Sequence, residues 1–350
     1  MNTPDTPAAG TAEPLPAPGA AGRSAAGRWI SLLLLAAGVA ILGAFAATTN
    51  FHQVGEALRR VEVPLLCVAV AAMLAQLLLK AYRWQFMVER LTGTRISTRF
   101  GAISVTSGVA AGSVTPGRSF ELAKAMMLRG SYGIPLGIST SAMIVERMLD
   151  MGFLVMAFLL SAAFVPGRMV LASRVLVLTV AAILLSFGLV VAFPQLVQGW
   201  VAAIVRRVPL PAPLLGRGLG LLDTFFISLR RLRGQHSPWL LLMLTFVVGG
   251  LDLARVFTVF GAMGIHLAPA LLTFAYLAAA MLGMALLIPG GVGVTEVSMA
   301  GLIALLAPGA APATVARSAV LIDRFLSYYL LVLAGAVLLM AYHRFRHWFT

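Results

Sequence analysis

Long apolar runs organise this chain. At about 20 apolar residues per crossing, six full spans are predicted over 29–48, 64–88, 136–165, 175–193, 239–263 and 315–342. Two further stretches are less regular. Residues 100–115 are mostly Gly, Ala, Ser, Thr and Val, too short and too weakly apolar to cross unaided, and 267–306 is long but broken at Pro289-Gly290-Gly291-Val292-Gly293. Gly and Pro within a membrane segment free backbone groups that only neighbouring protein or a wet cavity can satisfy. Both stretches are therefore expected to be re-entrant hairpins, giving an all-α polytopic membrane fold of six spans plus two hairpins.

Outside the runs, 1–27 is rich in Ala, Pro, Gly and Thr and nearly devoid of large apolar residues. It cannot bury enough surface to offset its ordering entropy and is expected to be a disordered cytoplasmic tail. The run 29–48 ends in Ala44-Phe45-Ala46-Ala47, which resembles a cleavage site, but it exceeds a secretory h-region and is taken as an uncleaved span. The transmembrane domain then covers 28–346.

Composition agrees. The 350 residues are 60% apolar and 11% charged, unlike a soluble domain, where about a quarter are charged. Net charge is +14, and 24 of the 26 cations are Arg. Basic residues between apolar runs mark cytoplasmic loops, so no nucleic-acid partner is expected. The tail (Arg23, Arg28), the loop Arg90/Arg95/Arg99, the basic linker 194–238 and the C-terminal Arg344/Arg346 all fall on one side of the proposed topology. Both termini are thus expected to be cytoplasmic, in a cell inner (plasma) membrane. Arg59/Arg60 and Arg168/Arg174 are exceptions. Within the linker, 214–232 suits either an amphipathic helix on the anionic inner leaflet or a solvated connection. A lone Cys67 and five scattered His residues offer neither disulfide nor metal site; no cofactor is expected.

The chain repeats itself. Pro116-Gly117-Arg118, then Glu121, precede Ser141-Ala142-Met143-Ile144-Val145-Glu146-Arg147-Met148-Leu149; Pro289-Gly290-Gly291, then Glu296, precede Ser318-Ala319-Val320-Leu321-Ile322-Asp323-Arg324-Phe325-Leu326. The halves are about 63–165 and 239–342, and the topology makes them antiparallel. Transporters with inverted repeats place their site near mid-bilayer at the pseudo-two-fold axis.

Six of the twelve carboxylates, Glu121, Glu146, Asp150, Asp252, Glu296 and Asp323, lie within or beside apolar runs. A central charge there costs at least about 2.5 kcal/mol on insertion scales, so partners are expected. Arg118 and Lys124 flank Glu121, Asp252 and Arg255 are spaced i,i+3, and Glu146/Arg147/Asp150 and Asp323/Arg324 form compact sets. Structural ion pairs account for such groups, most readily for Asp252/Arg255. Glu146 and Asp150 share a helix face, which suits a shared proton and proton coupling or salt-bridging to Arg118 or Lys124. A helix starting near Ser119 would point its free N–H groups, with Arg118 beside them, at a phosphate-sized anion. The glycines at 290, 291 and 293 would admit close backbone approach to a ligand, or simply tight helix packing.

With Pro-Gly-Arg-x-x-Glu-x-x-Lys-Ala, Glu-Arg-x-x-Asp and Pro-Gly-Gly-x-Gly-x-x-Glu in one chain, the sequence resembles the lysylphosphatidylglycerol synthase transmembrane family, the flippase-like domain. The resemblance spans 29–342. It falls on Pro116, Gly117, Arg118, Glu121, Lys124, Glu146, Arg147 and Asp150, and on Pro289, Gly290, Gly291, Gly293 and Glu296. It implies a translocase of an envelope lipid with those residues at the substrate, and a biosynthetic enzyme as candidate partner; the repeat and the buried charges add Asp323 and Arg324 to the expected substrate site. The bifunctional family members carry a soluble synthase domain after the membrane part; this sequence ends at Thr350, so aminoacyl-tRNA transfer is not expected. The alternatives are a membrane-embedded lipid transferase, with Glu121 or Glu146 as general base, and a scaffold for an envelope-lipid enzyme.

Overall fold

A computed structural model describes residues 61–113, 122–165, 193–207, 212–233, 237–286, 288–309 and 312–344, with isolated positions elsewhere. The expected tail lies outside this set, as do the spans 29–48 and 175–192 apart from isolated positions. Pro116, Gly117, Arg118 and Glu121 also lie outside it. All described secondary structure is helical: α1 (Val63–Thr92), α2 (Thr98–Ser113), α3 (Leu122–Tyr132), α4 (Leu136–Ala162), α5 (Pro194–Arg207), α6 (Ala212–Arg233), α7 (Ser237–Ala262), α8 (Pro269–Ala285), α9 (Val294–Leu306), α10 (Ala313–Arg324) and α11 (Leu330–Arg344).

Four described segments are long and apolar enough to cross a membrane: Val63–Thr92, Pro238–Ala262, Pro289–Leu306 and Ala313–Tyr342. A further helix, α4, has 27 residues but carries Glu146, Arg147 and Asp150 in its middle. By contrast, α2 (16 residues) and α3 (11 residues) reach only about 24 and 16 Å at 1.5 Å per residue, short of a hydrocarbon core of about 30 Å.

Sequence punctuation sets these limits. Pro64 opens α1, where a missing N–H is no loss, and Gly93 closes it at φ 73°, donating to the Glu89 carbonyl at 2.8 Å. Between α8 and α9 the chain makes one tight turn, Pro289–Gly291, in which Gly290 and Gly291 both have φ of 65°. Residues with a Cβ rarely adopt that conformation. Between α10 and α11, Phe325–Tyr329 form a π-turn, a local widening often found at functional sites.

Helix packing follows a reciprocal pattern. The arms α2 and α3 pack together, as do α8 and α9; α4 lies on α8 and α11 lies on α2. At the centre α1 packs along α7, antiparallel to it: the Glu62 amide donates to the Ala262 carbonyl at 3.0 Å, joining the start of one to the end of the other. Small residues allow the closest approaches. A Cβ on Gly335 of α11 would fall on the Thr106 carbonyl of α2, and one on Gly249 of α7 would fall on the Phe153 ring of α4.

Apolar cores sit around each hairpin. One joins Trp84, Phe100, Met127, Leu128 and Val145; the other joins Phe260, Leu272, Met299 and Val320. Residues 194–238 hold two helices. Helix α6 covers 214–232, for which an amphipathic helix and a solvated connection were both open, and it is anchored to the bundle: Phe226 is buried in the first core, and the Arg231 guanidinium donates to the Leu91 carbonyl at 3.1 Å.

Candidate functional site: a charged cavity between two helical hairpins

Arg83, in the C-terminal third of α1, is fully buried. Its guanidinium bonds Glu146 at 3.1 Å, Asp150 at 2.7 Å and the Thr245 hydroxyl at 2.9 Å. The second oxygen of Glu146 accepts from Lys124 at 2.9 Å, and the Lys124 ammonium also lies 4.9 Å from the centre of the Trp84 ring. So α1, α3, α4 and α7 meet in one network. Such charges need partners because desolvation in the interior costs several kcal/mol per ion.

The second half of the chain builds a counterpart. Arg255 of α7, also fully buried, bonds Asp323 of α10, Asp252 at 3.0 Å and the Tyr276 hydroxyl at 3.3 Å. Tyr276 in turn donates to Asp252 at 2.5 Å. Arg324 turns the other way, bonding Glu296 of α9 at 2.8 Å and the Gly290 carbonyl at 3.1 Å. The π-turn lets two successive tyrosines serve this group. Tyr329 donates to Glu296 at 2.8 Å, while the Tyr328 ring lies 4.7 Å from the Arg324 guanidinium.

Between these networks lie two adjoining cavities of about 180 and 160 Å³. One water needs about 10–15 Å³, so each chamber has room for several waters or a small headgroup. Lys80, Arg147, Asp150, Asp252, Tyr276 and Arg324 line both. The larger is closed by the Gly290-Gly291 turn, Gly283 and Thr295; the smaller by Gly108, Gly112 and Lys124 of the first hairpin.

The expected site residues fall into three sets. Lys124, Glu146, Arg147, Asp150, Gly290, Gly291 and Arg324 line the cavities. Glu296 and Asp323 lie behind the walls, fully buried and bonded to Arg324 and Arg255, while Gly293 starts α9 at φ 81°. Arg118 and Glu121 lie outside the described residues. Of the two partners considered for Glu146, Lys124 bonds it and Arg118 lies outside the described residues; the compact set Asp323/Arg324 splits, each member bonding a different helix. Sequence reasoning missed Lys80, Arg83 and Tyr276. The available signal was two cations within the apolar run 64–88, which are as costly there as acids.

The family model described as the lysylphosphatidylglycerol synthase TM region matches residues 28–335. The chain belongs to this family. Among relatives of the lysylphosphatidylglycerol synthase TM region, the chain is similar to a UPF0104 membrane protein of Methanothermobacter thermautotrophicus. The two are 26% identical over 288 residues, covering 79% of this chain and 83% of the relative. It is also similar to the UPF0104 membrane protein PH1989 of Pyrococcus horikoshii, at 23% identity over 335 residues, covering 88% and 96%. Its apolar helices make this family member a multi-pass membrane protein.

Proposed function

We propose that this protein is a lipid flippase of the inner (plasma) membrane: it moves an anionic envelope lipid between leaflets, passing the headgroup through the charged cavity while the acyl chains remain in the bilayer. The observation that carries the reading is the cavity itself. Charged walls inside a set of membrane-crossing helices mark a path for a polar group, and the walls come from both hairpins.

The account rests on an inverted repeat with two re-entrant hairpins, which several contacts support. The Ser97 amide donates to the Tyr132 hydroxyl at 3.4 Å, and the Ser131 and Tyr342 hydroxyls are 2.6 Å apart, so both ends of the first hairpin lie where α11 ends. The outer arms of the second hairpin share a core with Ile265, beside the Glu62–Ala262 junction at the other end of α1 and α7. The hairpins then enter from opposite faces, the first from the cytoplasm, where both termini also lie. Rocking one half against the other would alternate access.

A transferase using Glu146 as base is less well supported, because each Glu146 oxygen is bonded to a cation, Arg83 or Lys124. Proton coupling and a partner enzyme of envelope-lipid synthesis remain part of the proposal. Phosphatidylcholine vesicles containing the purified protein and a fluorescent phosphatidylglycerol test the reading. Dithionite should bleach the inner-leaflet probe in vesicles with wild-type protein and not in those with correctly folded Arg118→Ala. No exchange by the wild type, or normal exchange by the variant, contradicts the transport reading or the role of Arg118 respectively.

A further inference from the structure

Only two of the 26 cations in the chain are lysines, and both, Lys80 and Lys124, line the same chamber. Their situations differ. Lys124 is held by Glu146 and faces the Trp84 ring. Lys80, half-buried on α1, feels Asp252 and Asp150 through space but makes no hydrogen bond or ion pair among the described residues.

Neighbouring pairings explain why it is left over. Helices α1 and α7 each send an arginine, Arg83 or Arg255, to the acid of the helix that follows a hairpin, Glu146 or Asp323. Three residues earlier on the same face each carries a second charge. On α7 this is Asp252, which Arg255 can bond; on α1 it is Lys80, which Arg83 repels. The acids that act on Lys80 through space, Asp252, Asp150 and Glu146, are already bonded to Arg255, to Arg83, and to Arg83 with Lys124.

Charge balance points the same way. Among the described residues lining the two chambers, Lys80, Lys124, Arg147 and Arg324 face Glu146, Asp150 and Asp252, leaving one positive charge in excess. An ammonium is a compact point charge with three rotatable donors, able to hold a phosphate without the fixed two-point geometry of an arginine. That suits a ligand that must leave again. Lys80 also lines both chambers, so an anion held there is reachable from either.

We propose that Lys80 is the anchor for a single phosphate group, a phosphodiester or phosphomonoester, entering the central cavity. This rests on the reading of the cavity as a headgroup site and adds the residue and the ligand charge. Purified full-length protein in detergent would be titrated with dihexanoyl phosphatidylglycerol and, separately, with glycerol 1-phosphate. Wild-type protein should bind at least one of them, the first indicating a lipid source of the phosphate and the second a soluble one. Lys80→Met should weaken that binding by about tenfold or more, the loss of one charge-assisted contact, while Lys80→Arg restores most of it. Arg95→Met, which alters an exposed loop cation, should bind as wild type, and thermal unfolding establishes that each variant is folded. Unchanged affinity in folded Lys80→Met, or no binding of either probe by the wild type, overturns the proposal. Vesicles separate the two readings: Lys80-dependent binding without lipid exchange defeats the flippase alone, and exchange with Lys80-independent binding defeats the anchor alone.

Discussion

Arg83 on α1 bonds Glu146 on α4 at 3.1 Å, tying together helices whose paired residues are 63 positions apart. The two flank the first hairpin in the chain, so the bond fixes the frame against which that hairpin packs. Arg255 and Asp323 do the same around the second hairpin, 68 positions apart.

Removing Arg83 should be worse than removing Glu146, because Arg83 bonds two carboxylates. Arg83→Met leaves Glu146 with Lys124 alone and Asp150 with no cation of those it bonds here, whereas Glu146→Gln leaves Arg83 with Asp150. Breaking a buried pair from one side costs about 3–5 kcal/mol. Reversible unfolding in mixed micelles should show Arg83→Met as the less stable variant, and a double-mutant cycle with Glu146→Gln should give a coupling well above the about 0.5 kcal/mol scatter of independent sites.

Much of the architecture was legible because hydropathy and breakers act locally. Pro64, Gly93 and the Pro289–Gly293 break set helix limits within a few residues of those expected, since proline and glycine act on their own backbone. The i,i+3 pair Asp252/Arg255 was legible for the same reason. Lys80 and Arg83 were not: a span judged by its apolar average absorbs two cations. Partners 63 or 68 residues distant leave no spacing in the sequence. Nor did Tyr328 and Tyr329 stand out, because it is the π-turn that brings both to Arg324 and Glu296.

Packing of α11 on α2 depends on Gly335. Its replacement by Val would drive a side chain onto the Thr106 carbonyl and Ala110, and overpacking of this kind costs about 1–3 kcal/mol or more. Gly301 on α9 meets nothing within 4 Å of an added Cβ, so Gly301→Val should be close to neutral. Thermal unfolding of the two variants in the same detergent checks the contrast.

The Gly290 turn should tolerate no side chain. Gly290→Ala places a methyl on the Tyr328 hydroxyl and imposes φ of 65° on alanine, a conformation costing about 1–2 kcal/mol. Because the backbone strain and the contact with the Tyr328 ring both outlast the hydroxyl, Gly290→Ala with Tyr328→Phe should recover only part of the lost stability. Full recovery would mean that the turn opens without cost.

Tyr329→Phe removes one hydrogen bond to Glu296 but leaves Arg324 in place. A modest loss of about 0.5–1.5 kcal/mol is expected, against several for Arg324→Met, which strands a fully buried carboxylate. Unfolding midpoints of the two variants at equal detergent concentration give the comparison.

The passage of a headgroup through the cavity is tested most directly by filling it. Gly112 of α2 lines the smaller chamber, and a Cβ there meets nothing within 4 Å. Gly112→Trp should therefore fold with a near-wild-type melting curve while its indole occupies the path. In vesicles with a fluorescent phosphatidylglycerol, lipid exchange by this variant should fall to the rate of protein-free vesicles. Exchange at the wild-type rate by folded Gly112→Trp would contradict passage through this cavity.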